Sequence, residues 1–480
     1  MKDSGRSGRH ERSFAFAKAG SSAAISQVAA LLLLPVLFRI YTPEDFGLWA
    51  MLQAGVLAAA AVSTLRFDLA VVTEQDAGRA AKLFWGCMAL GGAVALLVAA
   101  IAAGVLHRLD PSTWDAATLG LASVWLVAAV FSQSFQAWLL REGRFGIASI
   151  SIILTLAGAN ALQVLAALWS PDHRGLIAGS AMGALLGGGV AAFSCGAKRP
   201  PAWSGWSGLG RVLVHHRRFV VYSLPFTVLS LVRERVPILV LAAFAPPALV
   251  GIYSQAWRLV HIPSGLAGGA LRPVIFHAAA RSGVESVSGL VQQIVGLGAL
   301  LAASWVGVAV AEPALLFGLV LGDAWRDAGV FAAVLAVPAL LFMLTNWFDR
   351  LLDVVHRQDA NLKLEVLSSL LSVGGFALAL AVGAPVLAAV TTQGLALTIA
   401  YLTVLLVAYR ICGFPLRPLL ARLGVALGLG GAAWGVTSGA SAVIGPSGGL
   451  LTGGAFALAV TGLVALRSFR AIRAAIAGAR

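Results

Sequence analysis

The chain has 480 residues, of which 59% are hydrophobic and 11% charged, with a mean hydropathy of +0.89. A soluble globular chain carries about a quarter charged residues, so the composition excludes one and indicates a polytopic membrane protein. The formal charge of +14 comes from basic residues spread along the chain rather than gathered on one face, which argues against nucleic acid and for attraction to anionic inner-leaflet lipids.

A spanning helix needs roughly 20 apolar residues. Fourteen such segments are predicted, near 14–40, 46–72, 83–106, 116–140, 147–169, 175–196, 219–244, 248–271, 290–311, 328–349, 362–382, 386–409, 420–440 and 447–467. The first 13 residues are polar and basic, and the apolar run behind them is too long for a signal-peptide core, so 14–40 reads as a retained anchor.

The second span ends in STLRFDLAVV, with Arg66 and Asp68 two positions apart and therefore on different faces of a continuous helix. Either they pair with each other or flank the cytoplasmic mouth of a cavity, or Arg66 snorkels to the headgroups. Gly183, Gly187, Gly188 and Gly189 in the sixth span permit close helix crossings. The longest break in hydrophobicity is Lys198 to Arg218, with five basic residues, which reads as a connector whose Trp203 and Trp206 suit the headgroup level.

The seventh span carries Arg233, Glu234 and Arg235 at its middle and the eighth carries Arg258. Three arginines at bilayer depth cost on the order of 8 to 10 kcal/mol unless something polar faces them. They therefore indicate a water-filled, cationic cavity, with internal ion pairing as the competing account. Pro237 and Pro263 lie beside these charges, where a kink would expose backbone carbonyls. Guanidinium forks bind phosphate oxygens in pairs, so a diphosphate headgroup fits such a cavity. Gln133, Gln136, Trp138, Gln255, Trp257, Asn346 and Trp347 are candidates to stack on or bond sugars, with ordinary packing as the plainer reading.

No GxxxxGK[ST] motif and no soluble domain are available for a nucleotide-driven motor. Coupling to Na+ or H+ would fall to the deepest acids, Asp68 and Glu234, while Asp349 and Asp353 read as solvated partners of Arg350 and Arg357. Cys87, Cys195 and Cys412 lack metal-like spacing, and no cofactor is expected. Spans thirteen and fourteen are rich in Gly and Ala and read as lipid-facing packing helices; the tail places Arg467, Arg470 and Arg473 on one face of an interfacial helix.

The register of spans is checked by the bias of basic residues between alternate loops. With the amino terminus inside, 26 basic residues fall on the cytoplasmic side and Arg39, Arg108, Arg174 and Arg326 on the outer side; Arg66, Arg233, Arg235 and Arg258 complete the 34. One missed helix would reverse every later loop, so both termini are expected in the cytoplasm.

The runs LPVLFRIYTPEDFGLWAML and STLRFDLAVV resemble the start of bacterial O-antigen-type polysaccharide-biosynthesis flippases, in the multidrug/oligosaccharidyl-lipid/polysaccharide exporter superfamily. SFQAWLLREGRFGIAS, YSLPFTVLSLVRERVPILVL, VGIYSQAWRLVHIPSGLAGGALRPVIF and LVLGDAWRDAGVF extend the likeness over residues 14 to 410. The resemblance implies an all-α polytopic protein with two six-helix bundles in a V around a central cationic cavity, working by alternating access. Its substrate would be an oligosaccharide on an undecaprenyl diphosphate carrier in the inner membrane, serving lipopolysaccharide or exopolysaccharide synthesis, with Na+ or H+ coupling in some members. The bundles would occupy 1–197 and 219–410, joined by the linker 198–218, with 411–480 adding two helices and a basic tail.

Arg66, Arg233, Arg235 and Arg258 are the candidate cavity residues. A polysaccharide polymerase of the same pathway and membrane lipids are the expected partners, and a monomer the expected state. A cation-coupled multidrug exporter is the nearest alternative, but its cavity would favour acids over arginines. An integral-membrane glycosyltransferase or polymerase is disfavoured because the longest outer loop, 312–327, offers Glu312, Asp323 and Asp327 without a histidine. A transporter rather than an enzyme is therefore expected.

Overall fold

A computed structural model describes residues 32–195 and 207–478, the side chains of Phe226, Pro273, His277 and those from 467 onward excepted. All regular structure among the described residues is helical, and the chain packs as two compact units, Met1–Gly251 and Ile252–Arg480. Trp203, Trp206 and most of 14–40 lie outside the described residues, as do the tail arginine side chains.

In the first unit residues 32–40 form α1, followed by α2 (Pro43–Ser63), α3 (Phe67–Thr73), α4 (Ala77–Leu109) and α5 (Ala116–Arg141). Next come α6 (Phe145–Ile153) and α7 (Ala159–Ala166), joined by a π-helical turn at Leu154–Gly158, then α8 (His173–Ser194) and the short α9 (Leu209–His215). A second π turn, Phe219–Ser223, leads into α10 (Leu224–Phe244), and α11 (Pro247–Ser282) starts in this unit and continues into the next. The second unit holds α12 (Ser288–Ala311), α13 (Pro313–Leu321), α14 (Arg326–Thr345), α15 (Asp349–Val354), α16 (Gln358–Ser369) and α17 (Gly375–Ala381), the last two linked by a π turn at Leu370–Gly374. Then follow α18 (Val386–Ile411), α19 (Leu416–Ile444) and α20 (Pro446–Gly478).

Twelve helices among the described residues are long and apolar enough to cross a membrane, so the protein is a multi-pass membrane protein. The expected count of fourteen is not reproduced as such. Only the end of 14–40 is described, and α10, a continuous 21-residue helix, is set apart from the twelve by the charges of Arg233, Glu234 and Arg235. Both α10 and α11 run unbroken past Pro237 and Pro263.

The start of α2 explains the TPEDFG sequence. Thr42 caps the helix by accepting from the Asp45 amide, Asp45 accepts from the Thr42 amide in return, and Pro43 fills a first-turn position that needs no N–H. Asp45 also accepts from the His173 amide at 3.0 Å, tying the start of α2 to that of α8. Phe46 packs on Phe38 and edge-on against Tyr41 and Trp49, and Trp49 donates to Ser180 at 2.9 Å. Asp45→Ala removes both the box and the tie. We expect it to lower stability by about 1–2 kcal/mol, read as a drop in the unfolding temperature in detergent.

Without a hydrophobic drive between helices inside lipid, close van der Waals packing holds the bundle. Gly183 and Gly187 let α8 lie against Ala159 and against the Ser151 carbonyl, and Gly188 faces Ser132 on α5; Gly189, expected to act with them, faces open space. A core of Phe67, Phe84, Cys87, Trp138 and Ala191 fills the end of the unit near α3. In the second unit Val291, Trp347, Phe348, Leu351 and Tyr409 form the main core, and α19 joins it through Leu419 and Ala426. Gly307 of α12 rests on the Gly430 carbonyl, and Arg422 of α19 lies along Gly296 and donates to the Gln292 carbonyl. The last two helices are therefore integral to the second unit rather than loosely appended.

Candidate functional site

Arg66 does not sit on a continuous helix. The backbone breaks after α2, where Leu65 and Arg66 adopt positive φ values of 49° and 63°, and resumes as α3. A helix would hold residues i and i+2 on separate faces, but this break brings Arg66 Nη1 to 3.9 Å from Asp68 Oδ2. Asp68 is buried and its Oδ1 accepts from Thr64 at 2.8 Å, which replaces part of the hydration lost. Thr64, Arg66 and Asp68 thus form one polar corner.

Two successive non-glycine residues in the left-handed region cost on the order of 1–3 kcal/mol each. Arg66→Gly relieves one of them. The expected result is a protein that unfolds at a temperature equal to or above wild type; a clear fall in stability would show that the Arg66–Asp68 contact outweighs the strain.

On α10, Arg233 is buried, and Nη2 reaches Glu234 Oε1 at only 3.8 Å because neighbouring helical residues point apart. Glu234 is exposed, with its side chain 46% accessible against 10% for Arg233. Arg235 is half-buried, and its buried Nε has no hydrogen-bond partner within the protein. Residues 233–235 themselves carry two guanidinium groups and one carboxylate, a net charge of +1 on this part of α10. A polar, oxygen-rich anion is the chemical complement of such a segment.

Arg258 lies on the part of α11 that belongs to the second unit and is half-buried. Beside it Trp257 stacks on His261 with ring centroids 4.2 Å apart. Of the expected sugar contacts, Trp138 and Trp347 are enclosed in the two cores and cannot meet a ligand there. Gln255 is buried, Gln136 donates to Ser132 and Ser151 at 3.0 Å each, and Asn346 donates to the Ser264 carbonyl at 2.6 Å. Packing was the plainer reading and fits these residues, whereas Trp257 remains half-buried. Asp349 pairs with Arg272 at 3.3 Å as well as with Arg350, Asp353 pairs with Arg350 at 3.2 Å, and Arg357 turns instead to Asp359. Among the described residues no group of three His, Cys, Asp or Glu could hold a metal ion.

Sequence reading passed over one charged cluster, Glu74 with Arg79 and His216. Glu74 and Arg79 stand five residues apart, but His216 is distant from both in sequence, and the adjacent histidines 215 and 216 were the only available signal.

The fold matches solved transporters. A lipid II flippase, MurJ, in an inward closed conformation, superimposes with a TM-score of 0.75 over 95% of this chain and 99% of its own at 10% identity. An inward-facing multidrug resistance MATE family transporter of the MOP superfamily gives 0.57 over 82% of this chain and 94% of its own at 15% identity, and an outward-facing one gives 0.54 over 83% and 95%, also at 15%. At these identities the likeness establishes the fold alone. No curated protein matches the sequence. The model of the polysaccharide biosynthesis protein family matches residues 19–282, more than half of the chain. With that match spanning the polar corner at Arg66 and all three mid-helix arginines of α10 and α11, the chain belongs to the polysaccharide biosynthesis protein family.

Proposed function

We propose that the protein is a flippase that carries an undecaprenyl-diphosphate-linked oligosaccharide from the inner to the outer leaflet of a bacterial inner membrane by alternating access, in O-antigen or exopolysaccharide synthesis. The observation that carries this reading is the pair of guanidinium groups, Arg233 and Arg235, in the middle of α10, the buried Nε of Arg235 making no hydrogen bond within the protein, in a family concerned with polysaccharide synthesis and on a fold shared with a lipid II flippase. Arg66 and Arg258 are assigned to the same task. The 26-to-four division of basic residues outside the spans supports cytoplasmic termini.

A proton or sodium gradient would supply the energy, with Asp68 the stronger coupling candidate because it is buried and Glu234 is not. A monomer, working beside a polymerase of the same pathway, is our reading of the assembly. The MATE-like fold keeps a multidrug exporter as the second reading, disfavoured because a cationic substrate would be repelled by these arginines.

The test is leaflet exchange of a fluorescent undecaprenyl diphosphate oligosaccharide in proteoliposomes, with and without imposed Na+ and H+ gradients. Protein-dependent exchange supports the reading. Exchange absent under every gradient, together with export of an organic cation, would replace it with the second.

A further inference from the structure

The connector into α10 is fastened to the first unit by both apolar and polar contacts. Leu209 and Val212 of α9 are buried, Leu209 in the space that Gly86 leaves on α4, and Lys82 donates to the Ser207 carbonyl at 3.0 Å. The next residue after α9 is His216. Its Nε2 lies 3.2 Å from Glu74 Oε2 and its Nδ1 lies 3.0 Å from the Val212 carbonyl. Both oxygens are acceptors. A neutral imidazole has one N–H and satisfies one of them, whereas an imidazolium satisfies both.

Glu74 is built to stay ionised and so to accept. Burial alone raises its pKa, but the Asp76 amide at 2.9 Å, the Arg79 guanidinium at 3.0 Å and His216 together hold it below the usual carboxylate range. The surrounding charges are Asp76, Arg79 and Lys82 at the start of α4, Arg141 and Glu142 at the end of α5, whose Arg141 donates to the Gln75 carbonyl, and His215, Arg211, Arg217 and Arg218 on the connector itself. His216 also lies over Phe219, the first residue of the π turn from which α10 continues.

We propose that His216 and Glu74 form a proton-sensitive latch that fixes the root of α10, firmest when both imidazole nitrogens carry protons and weakened to a single uncharged bond when one proton leaves. The latch lies on the face that the charge bias assigns to the cytoplasm, so internal pH would set how freely the arginine-bearing helix moves. Protonation adds both a charge and a second bond, so the latch is tightest at low pH and loosens as pH rises. A second loss follows in acid only when Glu74, held low, is itself protonated.

The latch is independent of which substrate is moved and is tested without one. Amide hydrogen exchange of residues 207–218 is followed in the full chain in nanodiscs near both ends of the interval in which an imidazole changes charge, about pH 5 to 8, each rate divided by its intrinsic value. Wild-type protection is expected to fall about tenfold or more toward the alkaline end, the scale of one charge-assisted hydrogen bond. His216→Gln, whose amide gives Glu74 one uncharged donor at either pH, should show the alkaline wild-type level of protection at both, and His216→Ala should be weaker still at both. His215→Gln should keep the wild-type response. Unchanged wild-type protection, a pH response surviving in His216→Gln, or a response abolished by His215→Gln would each overturn the latch. Should His216→Ala fail to fold, the two glutamine variants decide the matter alone.

Discussion

Arg233→Ala and Arg258→Ala are each expected to slow leaflet exchange of the diphosphate-linked oligosaccharide by about tenfold or more, and the double variant to abolish it. A charge-assisted hydrogen bond is worth about 1.5–3 kcal/mol, which corresponds to roughly 10- to 150-fold in rate when it is lost from the transition state. Arg233→Lys should fall between wild type and Arg233→Ala, because lysine keeps the charge but not the planar fork that holds two phosphate oxygens. Loss of exchange by Arg233→Ala with an unchanged unfolding temperature isolates the functional role. Equal exchange by wild type and double variant would make these arginines structural and move the substrate path elsewhere.

The second large effect is expected at two glycines outside every candidate site. Gly47 stands four residues after Pro43 at the start of α2, and Gly251 four residues after Pro247 at the start of α11. Their backbones meet reciprocally. A methyl group on Gly47 would overlap the Pro247 carbonyl, and one on Gly251 would overlap the Pro43 carbonyl, with the opposite glycine's nitrogen next nearest at 3.1 and 2.9 Å respectively. Both obstacles are backbone atoms, so no side chain can swing aside. Gly47→Ala and Gly251→Ala should each cost about 1–3 kcal/mol or more, and the double variant should cost less than the sum because both break one contact. Gly55→Ala is the control. It lies on α2 with open space around its Cα, and alanine there should stabilise by roughly 0.5–1 kcal/mol. Unfolding temperatures in detergent decide between these outcomes; unchanged values for Gly47→Ala and Gly251→Ala would mean the helix ends can separate at no cost.

How much of this was legible in the sequence depended on the range of the physics involved. Spans 116–140 and 386–409 were read close to α5 and α18 because twenty consecutive apolar residues admit one solution in lipid, a helix that satisfies its own backbone. The TPEDFG segment counted in the sequence only toward the family resemblance, and its capping box came from the structure although it is completed within four residues. Mid-span charge on α10 was plain, since its cost follows from depth alone.

Packing detail was less legible. Pairing of Arg66 with Asp68 was one reading of the sequence, but the means was not: the backbone reverses handedness at Leu65 and Arg66, an unfavourable conformation that no local preference of Leu or Arg foretells. Gly183, Gly187 and Gly189 were indistinguishable as small residues, yet two touch a neighbouring helix and one touches nothing, because Gly189 stands more than about 100° around the α8 axis from both of the others. The same holds for Trp138 and Trp347, which sequence could place in spans but not in cores. Composition and hydrophobic run length determined that this is a many-helix membrane protein with cationic charge at bilayer depth. Only the tertiary structure decided which polar groups face one another, because each helix satisfies its backbone by itself and leaves its rotation and its partners to be set by packing across the bundle.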